Sequence, residues 1–225
     1  MTKLHIFDMD GTLLRGTASV EISRRVGQLE AAMAIEEGWV RGEISDVQFW
    51  ELCLPLWQGI TDADIDEAFE AAPWIDGVEA VFTDIAQRGE YSAVITQSPQ
   101  FFAERLLRWG VGSVYGAGVE PGGRAGSDLL LTADDKVVIA TKLMADYGLT
   151  EADCVAYGDS SSDVPLFRRL RHTVAVNGSE TIRKLAAVVY DGCDLREAYA
   201  AGRSLLSDGG ANGPERDRHR ADTCA

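Results

Sequence analysis

Positive charge is in short supply in this sequence. Its 21 Lys and Arg face 36 Asp and Glu, a formal net charge of −15, with only 3 histidines. A surface that acidic repels phosphate backbones and anionic headgroups, which excludes a nucleic-acid polymer or a membrane surface as partner. Cysteine is scarce too: Cys53, Cys154, Cys193 and Cys224 lie far apart, with no CxxC pair. That spacing fits neither a small disulfide framework nor a zinc ladder, and reduced cytosolic thiols are expected. No apolar run approaches the roughly 18 residues of a membrane span. Asp8 interrupts the N-terminus too early for the apolar stretch of a signal peptide. The expectation is a soluble, cytoplasmic protein, monomeric or homodimeric. Apolar residues make up 46% of the chain, enough to bury a core and exclude wholesale disorder.

What is present is organised in two textures. A β-prone run over residues 4–7 stops at Asp8-Met9-Asp10-Gly11-Thr12, the pattern of a strand feeding a functional loop. From about residue 19 to 72 the texture is helical: Val20, Val26, Leu29 and Met33 recur at helical spacing, then Val47, Trp50, Leu54 and Trp57. Trp39, Trp50, Trp57 and Trp74 fall in or beside this stretch. They read as the core of a small helical bundle, unless one or two face a substrate cleft. After Pro73 strands and helices alternate. Helices are predicted over 78–88, 99–109, 135–147, 163–170 and 181–185, and strands over 91–95, 154–157, 173–176 and 187–190. Gly148 stops the third of those helices. The Gly-rich stretch 113–126 reads as a hairpin or loop. This alternation implies an α/β fold with a mostly parallel sheet covered on both faces. Residues 1–14 and 75–206 then form the core domain, 15–74 a helical insertion, and 207–225, almost without apolar residues, a disordered tail.

In a parallel α/β sheet, ligands bind beyond the carboxyl ends of the strands. Asp8 and Asp10 follow the first strand, Thr96 the second, Asp159 and Asp163 the strand at 154–157, and Lys136 opens a helix. Carboxylates converging on one edge repel one another and raise their pKa values unless a divalent cation is shared between them. Hard oxygen ligands with no histidine nearby indicate Mg²⁺ rather than zinc. With a turn at Gly11, Asp8 can attack an electrophile in line while Asp10 stands beside the leaving group. A carboxylate attacking a phosphoryl group forms an acyl phosphate. The second carboxylate can protonate the departing alcohol and later activate water. Lys136, the Thr96 hydroxyl and backbone N–H groups around Met9 to Gly11 would hold the phosphate oxygens.

Asp8-Met9-Asp10-Gly11-Thr12-Leu13 resembles the first motif of the haloacid dehalogenase superfamily. Thr96, after Ala93-Val94-Ile95, is similar to the second, Lys136 to the third, and Gly158-Asp159-Ser160-Ser161-Ser162-Asp163 to the fourth. The resemblance covers roughly residues 4 to 192. It implies a Rossmann-like, three-layer parallel-sheet core with a small α-helical cap inserted after the first strand, similar to the phosphoserine-phosphatase-like branch. By the same resemblance Asp8 is the nucleophile and Asp10 the general acid/base. Mg²⁺ would sit on the Asp8 carboxylate, the Asp10 carbonyl and Asp159, with Asp163 in support. Phosphate would meet Met9, Gly11, Thr96, Gln97 and Lys136. Asp10 argues against the dehalogenases, which the resemblance implies would lack that acid.

Departures from the branch bear on the substrate. Where phosphoserine phosphatases carry a Glu that grips the substrate ammonium, this chain has Thr17, and Glu21 is acidic but wrongly offset. The cap arginine that would hold a substrate carboxylate aligns with Leu56, and no Lys or Arg occurs between Gly42 and Ala72. Thr96-Gln97-Ser98 replaces the expected Ser-Gly-Gly. Thr17, Glu21, Trp50 and Leu56 are therefore the candidate substrate contacts, in a pocket expected to be apolar and aromatic. The expected activity is Mg²⁺-dependent hydrolysis of a small phosphate monoester, not selective for phosphoserine, through an aspartyl-phosphate. Two alternatives stand beside it: a phosphotransferase or mutase with the same chemistry, and a phospho-accepting signalling domain. The latter would be about half this length and lack Asp10.

Overall fold

A computed structural model describes residues 2–207 and 218–220. The period-two alternation of the first strand, β1 (Leu4–Phe7), sets the layers. Leu4 and Ile6 enter one apolar cluster, and Phe7 enters the other. β1 lies between β2 (Tyr91–Pro99) and β4 (Cys154–Gly158) and is parallel to both. β3 (Ser113–Ala117) extends the sheet beyond β2. β5 (His172–Val176), β6 (Val188–Asp191) and β7 (Arg218–Arg220) follow on the far side of β4, giving the order β3-β2-β1-β4-β5-β6-β7 with every pairing parallel.

Between β1 and β2 the chain forms α1 (Ala18–Arg25), α2 (Leu29–Val40), α3 (Asp46–Cys53), a 3₁₀ turn (Leu54–Trp57), α4 (Asp62–Ala71) and α5 (Val78–Gln87). Ser45 with Gln48, and Thr61 with Asp64, form reciprocal capping pairs that fix where α3 and α4 begin. The buried residues of α1 and α2 are not the predicted stripe. Ala18, Ile22 and Ala32 are buried, whereas Met33 is 56% exposed. Small residues serve there because helices pack closely against one another. Of the second stripe, Trp50, Leu54 and Trp57 are buried as expected. Trp57 lies in the core with its indole N–H donated to Ser23 Oγ at 2.8 Å.

α5 and α10 (Leu195–Ser207) cover the Phe7 side of the sheet. α7 (Ala133–Tyr147), α8 (Val164–Arg169) and α9 (Glu180–Leu185) cover the Leu4 and Ile6 side. Three predictions need correction. The Gly-rich stretch 113–126 opens as strand β3. A Cβ at Gly116 would stand 2.7 Å from Ser98 O, and one at Gly112 would stand 2.8 Å from Ser92 O, so these glycines permit close strand approach rather than mark a hairpin. The helix predicted over 99–109 is α6 (Gln100–Ala103) continued as a 3₁₀ turn (Glu104–Trp109), because β2 runs on to Pro99. α10, not predicted, buries Leu195, Ala198 and Tyr199 against the sheet.

No helix among the described residues is long and apolar enough to cross a membrane. Cys53 and Cys154 are free and buried, with burial pushing each thiol up to about 12. Cys193 is not one of the free cysteines. Apart from Ser207 in α10 and the β7 residues, the tail expected to be disordered lies outside the described residues.

Phe82 on α5 is fully buried and meets Phe7 edge-on at 5.1 Å. Phe82→Ala is expected to cost about 3–5 kcal/mol, read as a fall in the urea midpoint. A loss under about 1 kcal/mol would place Phe82 outside the core that supports β1.

Candidate active site

β1 ends where the chain must change direction. The Asp8 N–H donates to Tyr157 O at 2.9 Å, the last tie to β4. Beyond it the Met9 carbonyl accepts the N–H groups of Thr12, Leu13 and Leu14 at 3.2, 2.8 and 2.9 Å, so the loop folds around a single oxygen. Gly11 turns with φ +77°, and a Cβ there would lie 2.2 Å from Asp159 Oδ2. Only glycine lets the β1 loop lie against the β4 loop this closely.

Lys136 joins the two loops from beneath. The Thr132–Asp135 capping pair starts α7 at Ala133, which places Lys136 in its first turn. Its ammonium, 1% exposed, bonds Asp8 Oδ1 at 2.9 Å, Asp163 Oδ1 at 2.7 Å and Ser162 Oγ at 3.1 Å. All three donors are thereby engaged. Asp163 Oδ2 in turn accepts the N–H groups of Asp159 and Ser160 at 3.1 and 3.3 Å and shapes the β4 loop. Thr12 Oγ1 donates to Asp159 Oδ1 at 3.3 Å. Asp10 accepts from Ser98 Oγ and, at 3.1 Å, from the N–H of Ala18 at the start of α1. Ser98 itself comes from the end of β2, where its N–H donates to Thr96 Oγ1 at 3.1 Å. Gln97 donates to Leu131 O at 3.0 Å. Two of the backbone donors expected to meet phosphate are already paired: Met9 N–H with Asp8 Oδ1 at 2.8 Å, and Gly11 N–H with Leu14 O at 2.8 Å.

The charges are unbalanced. Asp8, Asp159 and Asp163 can bring oxygens within 4.8 Å of one another. Burial and then the Asp163 charge push Asp8 up to about 7, against the pull of Lys136. Burial and then the charges of Asp8 and Asp163 push Asp159 up to about 8. Burial, with the charges of Asp8 and Glu36 added, pushes Asp10 up to about 7 despite the hydrogen bonds from Ser98 and Ala18. Burial alone would lower Lys136, but Asp163 and Asp8 outweigh it and hold the ammonium above its ordinary range. One cation among these carboxylates leaves room for further positive charge. Hard oxygen donors and no nearby imidazole suit Mg²⁺. Asp8 and Asp159 are the residues with oxygen capacity to spare, while Asp163 is already committed to Lys136 and two N–H groups.

Residues 6–168 match the family model described as haloacid dehalogenase-like hydrolase. The chain belongs to that family. It is 23% identical to a phosphoserine phosphatase of Archaeoglobus fulgidus over 91% of this chain and 60% of that protein, so it spans less than two thirds of that relative's length. A phosphoserine phosphatase of Methanocaldococcus jannaschii is also 23% identical, over 87% of this chain and 95% of that one. A substrate-bound phosphoserine phosphatase structure superposes with a TM-score of 0.72 at 22% identity, covering 88% of this chain and 96% of that one. Within the haloacid dehalogenase-like hydrolases these likenesses point to the phosphoserine-phosphatase-like branch.

In this family member the two aspartates open onto a cavity of about 860 Å³ between the strand ends and helices α1 to α3. Asp8, Asp10, Gly11, Thr96, Gln97, Asp159, Thr17 and Trp50 line it. Glu21 and Leu56 do not. Glu21 is buried and paired with Arg24 Nε at 3.0 Å, and Leu56 packs against the core. The sequence reading missed Glu36, Asp46 and Phe49, which line the same wall. Glu36 Oε1 accepts from the hydroxyls of Thr17, at 2.7 Å, and Ser19. The carboxylate sought at position 17 therefore reaches that place from α2. A Glu in the middle of an amphipathic helix carries no sequence signal that separates it from a solvated one. Trp39 is 40% exposed and lines the cavity with Trp50, which is the alternative left open for one or two of the tryptophans.

The Asp159 shift carries a sign that can be checked without metal. Between the ordinary 3.8 and about 8, folded Asp159 keeps a proton that the unfolded chain has released. Its contribution to stability therefore falls as pH rises through that window. In excess EDTA, Asp159→Asn is expected to melt several degrees above the wild type at pH 8, an advantage that shrinks toward pH 4. A difference independent of pH would show that Asp159 carries no such strain.

Proposed function

We propose that this chain hydrolyses small phosphate monoesters by moving the phosphoryl group first to Asp8 and then to water. One observation carries the reading. Asp8 is held at Oδ1 by Lys136 and the Met9 N–H, while Asp10, two residues on, is held by Ser98 and Ala18, and both face one cavity. Among the described residues no hydrogen bond engages Asp8 Oδ2, which leaves that oxygen as the attacking atom. Asp8 Oδ2 forms a bond to phosphorus as the ester P–O bond breaks. The Asp10 carboxyl gives its proton to the departing alkoxide. Water then attacks the same phosphorus, Asp10 takes a proton from it, and the bond to Asp8 breaks to release phosphate. Lys136 neutralises Asp8 between turnovers and orients it, and Thr96, Gln97 and Gly11, which line the cavity, border the phosphate.

The donor set fits a magnesium ion held by Asp8, the Asp10 carbonyl and Asp159, with Asp163 behind them. Bound there, Mg²⁺ would supply the positive charge that draws an anionic ester into this acidic cavity and stabilises its equatorial oxygens. We read residues 15–74 as a cap over the core, because α1 to α3 supply one wall of the cavity and the strand ends supply the other. Phosphoserine selectivity is not part of the reading: no Lys, Arg or His lines the cavity among the described residues, so a substrate carboxylate has no partner.

Asp8→Asn is expected to leave the protein folded and to lower turnover of p-nitrophenyl phosphate at least about 10³-fold. In the wild type, EDTA should remove the same activity and Mg²⁺ restore it. Residual turnover of the variant near the wild-type rate would remove Asp8 from the mechanism. Asp10→Asn should slow alkyl phosphates about 10²–10³-fold more than p-nitrophenyl phosphate, whose leaving group needs no proton. Equal losses on both substrates would contradict the acid role.

A further inference from the structure

The cavity wall built by α2 and α3 is negative and aromatic, and no Lys, Arg or His lines the cavity among the described residues. Glu36 is anchored by the hydroxyls of Thr17 and Ser19, either side of Ala18, whose N–H holds Asp10. Asp46 Oδ1 accepts the indole N–H of Trp39 at 2.7 Å. Neither carboxylate has an ion-pair partner among the described residues, whereas Glu37, next to Glu36 on α2, pairs with Arg41. Three rings stand beside them at inclined angles. Trp39 and Phe49 are 5.9 Å apart at 59°, and Phe49 and Trp50 are 5.0 Å apart at 87°. All three rings line the cavity, and an aromatic face reached from it attracts an organic cation. Two unpaired carboxylates add to that attraction.

Given the phosphatase reading, on which this rests, we propose that the wall recognises an ammonium group and that the substrate is a phosphate monoester of a short cationic amino alcohol lacking a carboxylate. Phosphate at one end meets the Asp8 loop. The cation at the other end meets Glu36, Asp46 and the rings. A substrate carboxylate would face Glu36 and Asp46 with no basic residue on the cavity wall, so an amino-acid phosphate is selected against. A neutral polyol phosphate would leave both acids uncompensated.

The test measures kcat/KM of the full chain with Mg²⁺ on O-phosphoethanolamine, phosphocholine, glycerol 3-phosphate, O-phosphoserine and p-nitrophenyl phosphate. The two cationic esters are expected to exceed glycerol 3-phosphate and phosphoserine by about tenfold or more. Glu36→Gln should lower the ratio of phosphoethanolamine to p-nitrophenyl phosphate by about tenfold. Trp39→Leu, at a residue exposed enough to tolerate change, should lower the corresponding phosphocholine ratio, so a folding failure of the first variant leaves the second to decide. Phosphoserine or glycerol 3-phosphate matching the cationic esters in the wild type would overturn the proposal. So would ratios that neither variant moves. Failure to hydrolyse any of the five esters would instead sink the phosphatase reading, and this proposal with it.

Discussion

The site depends on one buried cation. Lys136 is nearly inaccessible and bonds Asp8 and Asp163 at once. An ammonium taken out of water without partners would lose its proton or unfold its surroundings, and two carboxylates alone would repel. Each group makes the burial of the others tolerable. That mutual dependence ties α7 to the loops after β1 and β4. It also explains why Gly158 is required: a Cβ there would lie 2.4 Å from Asp163 Cγ, in the space the carboxylate needs to reach Lys136 and the loop N–H groups together.

From this constraint follows the division of labour around the sheet. Asp8, Ser98 and Asp159 come from or just after three adjacent parallel strands, β1, β2 and β4, so backbone pairing fixes their spacing before any side chain is chosen. Asp10 is the exception. Its carboxylate is shared between Ser98 of β2 and the first N–H of α1, so it spans core and insertion. A displacement of α1 alters the hydrogen bonding of Asp10 directly, and this is the shortest physical link between the helical insertion and the chemistry.

The parts of the molecule legible in the sequence are those set by local rules. The β1 strand was readable from Leu4 to Phe7, the α7 stop from Gly148, and the first and fourth motifs from carboxylates placed after apolar strands. Parallel strands buried on both faces announce themselves as apolar runs. β3 was not legible, because Gly112 and Gly116 serve close approach to β2 and look like turn residues. α10 was missed for want of a boundary signal, although its apolar stripe is regular. The stripe through Met33 misled because α1 and α2 bury Ala18 and Ala32 beside Ile22, and the small volumes of alanines barely register in a periodicity count. Glu36 was illegible for a different reason: its role arises from Thr17 and Ser19, 17 to 19 positions away, and tertiary pairing of that kind has no local pattern.

Substrate choice and reaction type therefore rest on different physics. The groups to which we assign the reaction hang on strand ends whose geometry the sheet dictates, so a short motif brings them together. The opposite wall hangs on helices whose relative placement depends on small packing residues and caps, and a carboxylate can arrive at one spot from α1 or from α2. Moving it from the position of Thr17 to Glu36 keeps a negative charge near Asp10 while exchanging its supports for two hydroxyls. Leu56 brings no positive charge to the insertion side, and no basic side chain lines that wall of the cavity among the described residues. Such a wall attracts cations without discrimination. What discriminates is the requirement that the same molecule also carry a phosphate, because only a ligand with opposite charges at its two ends gains at both.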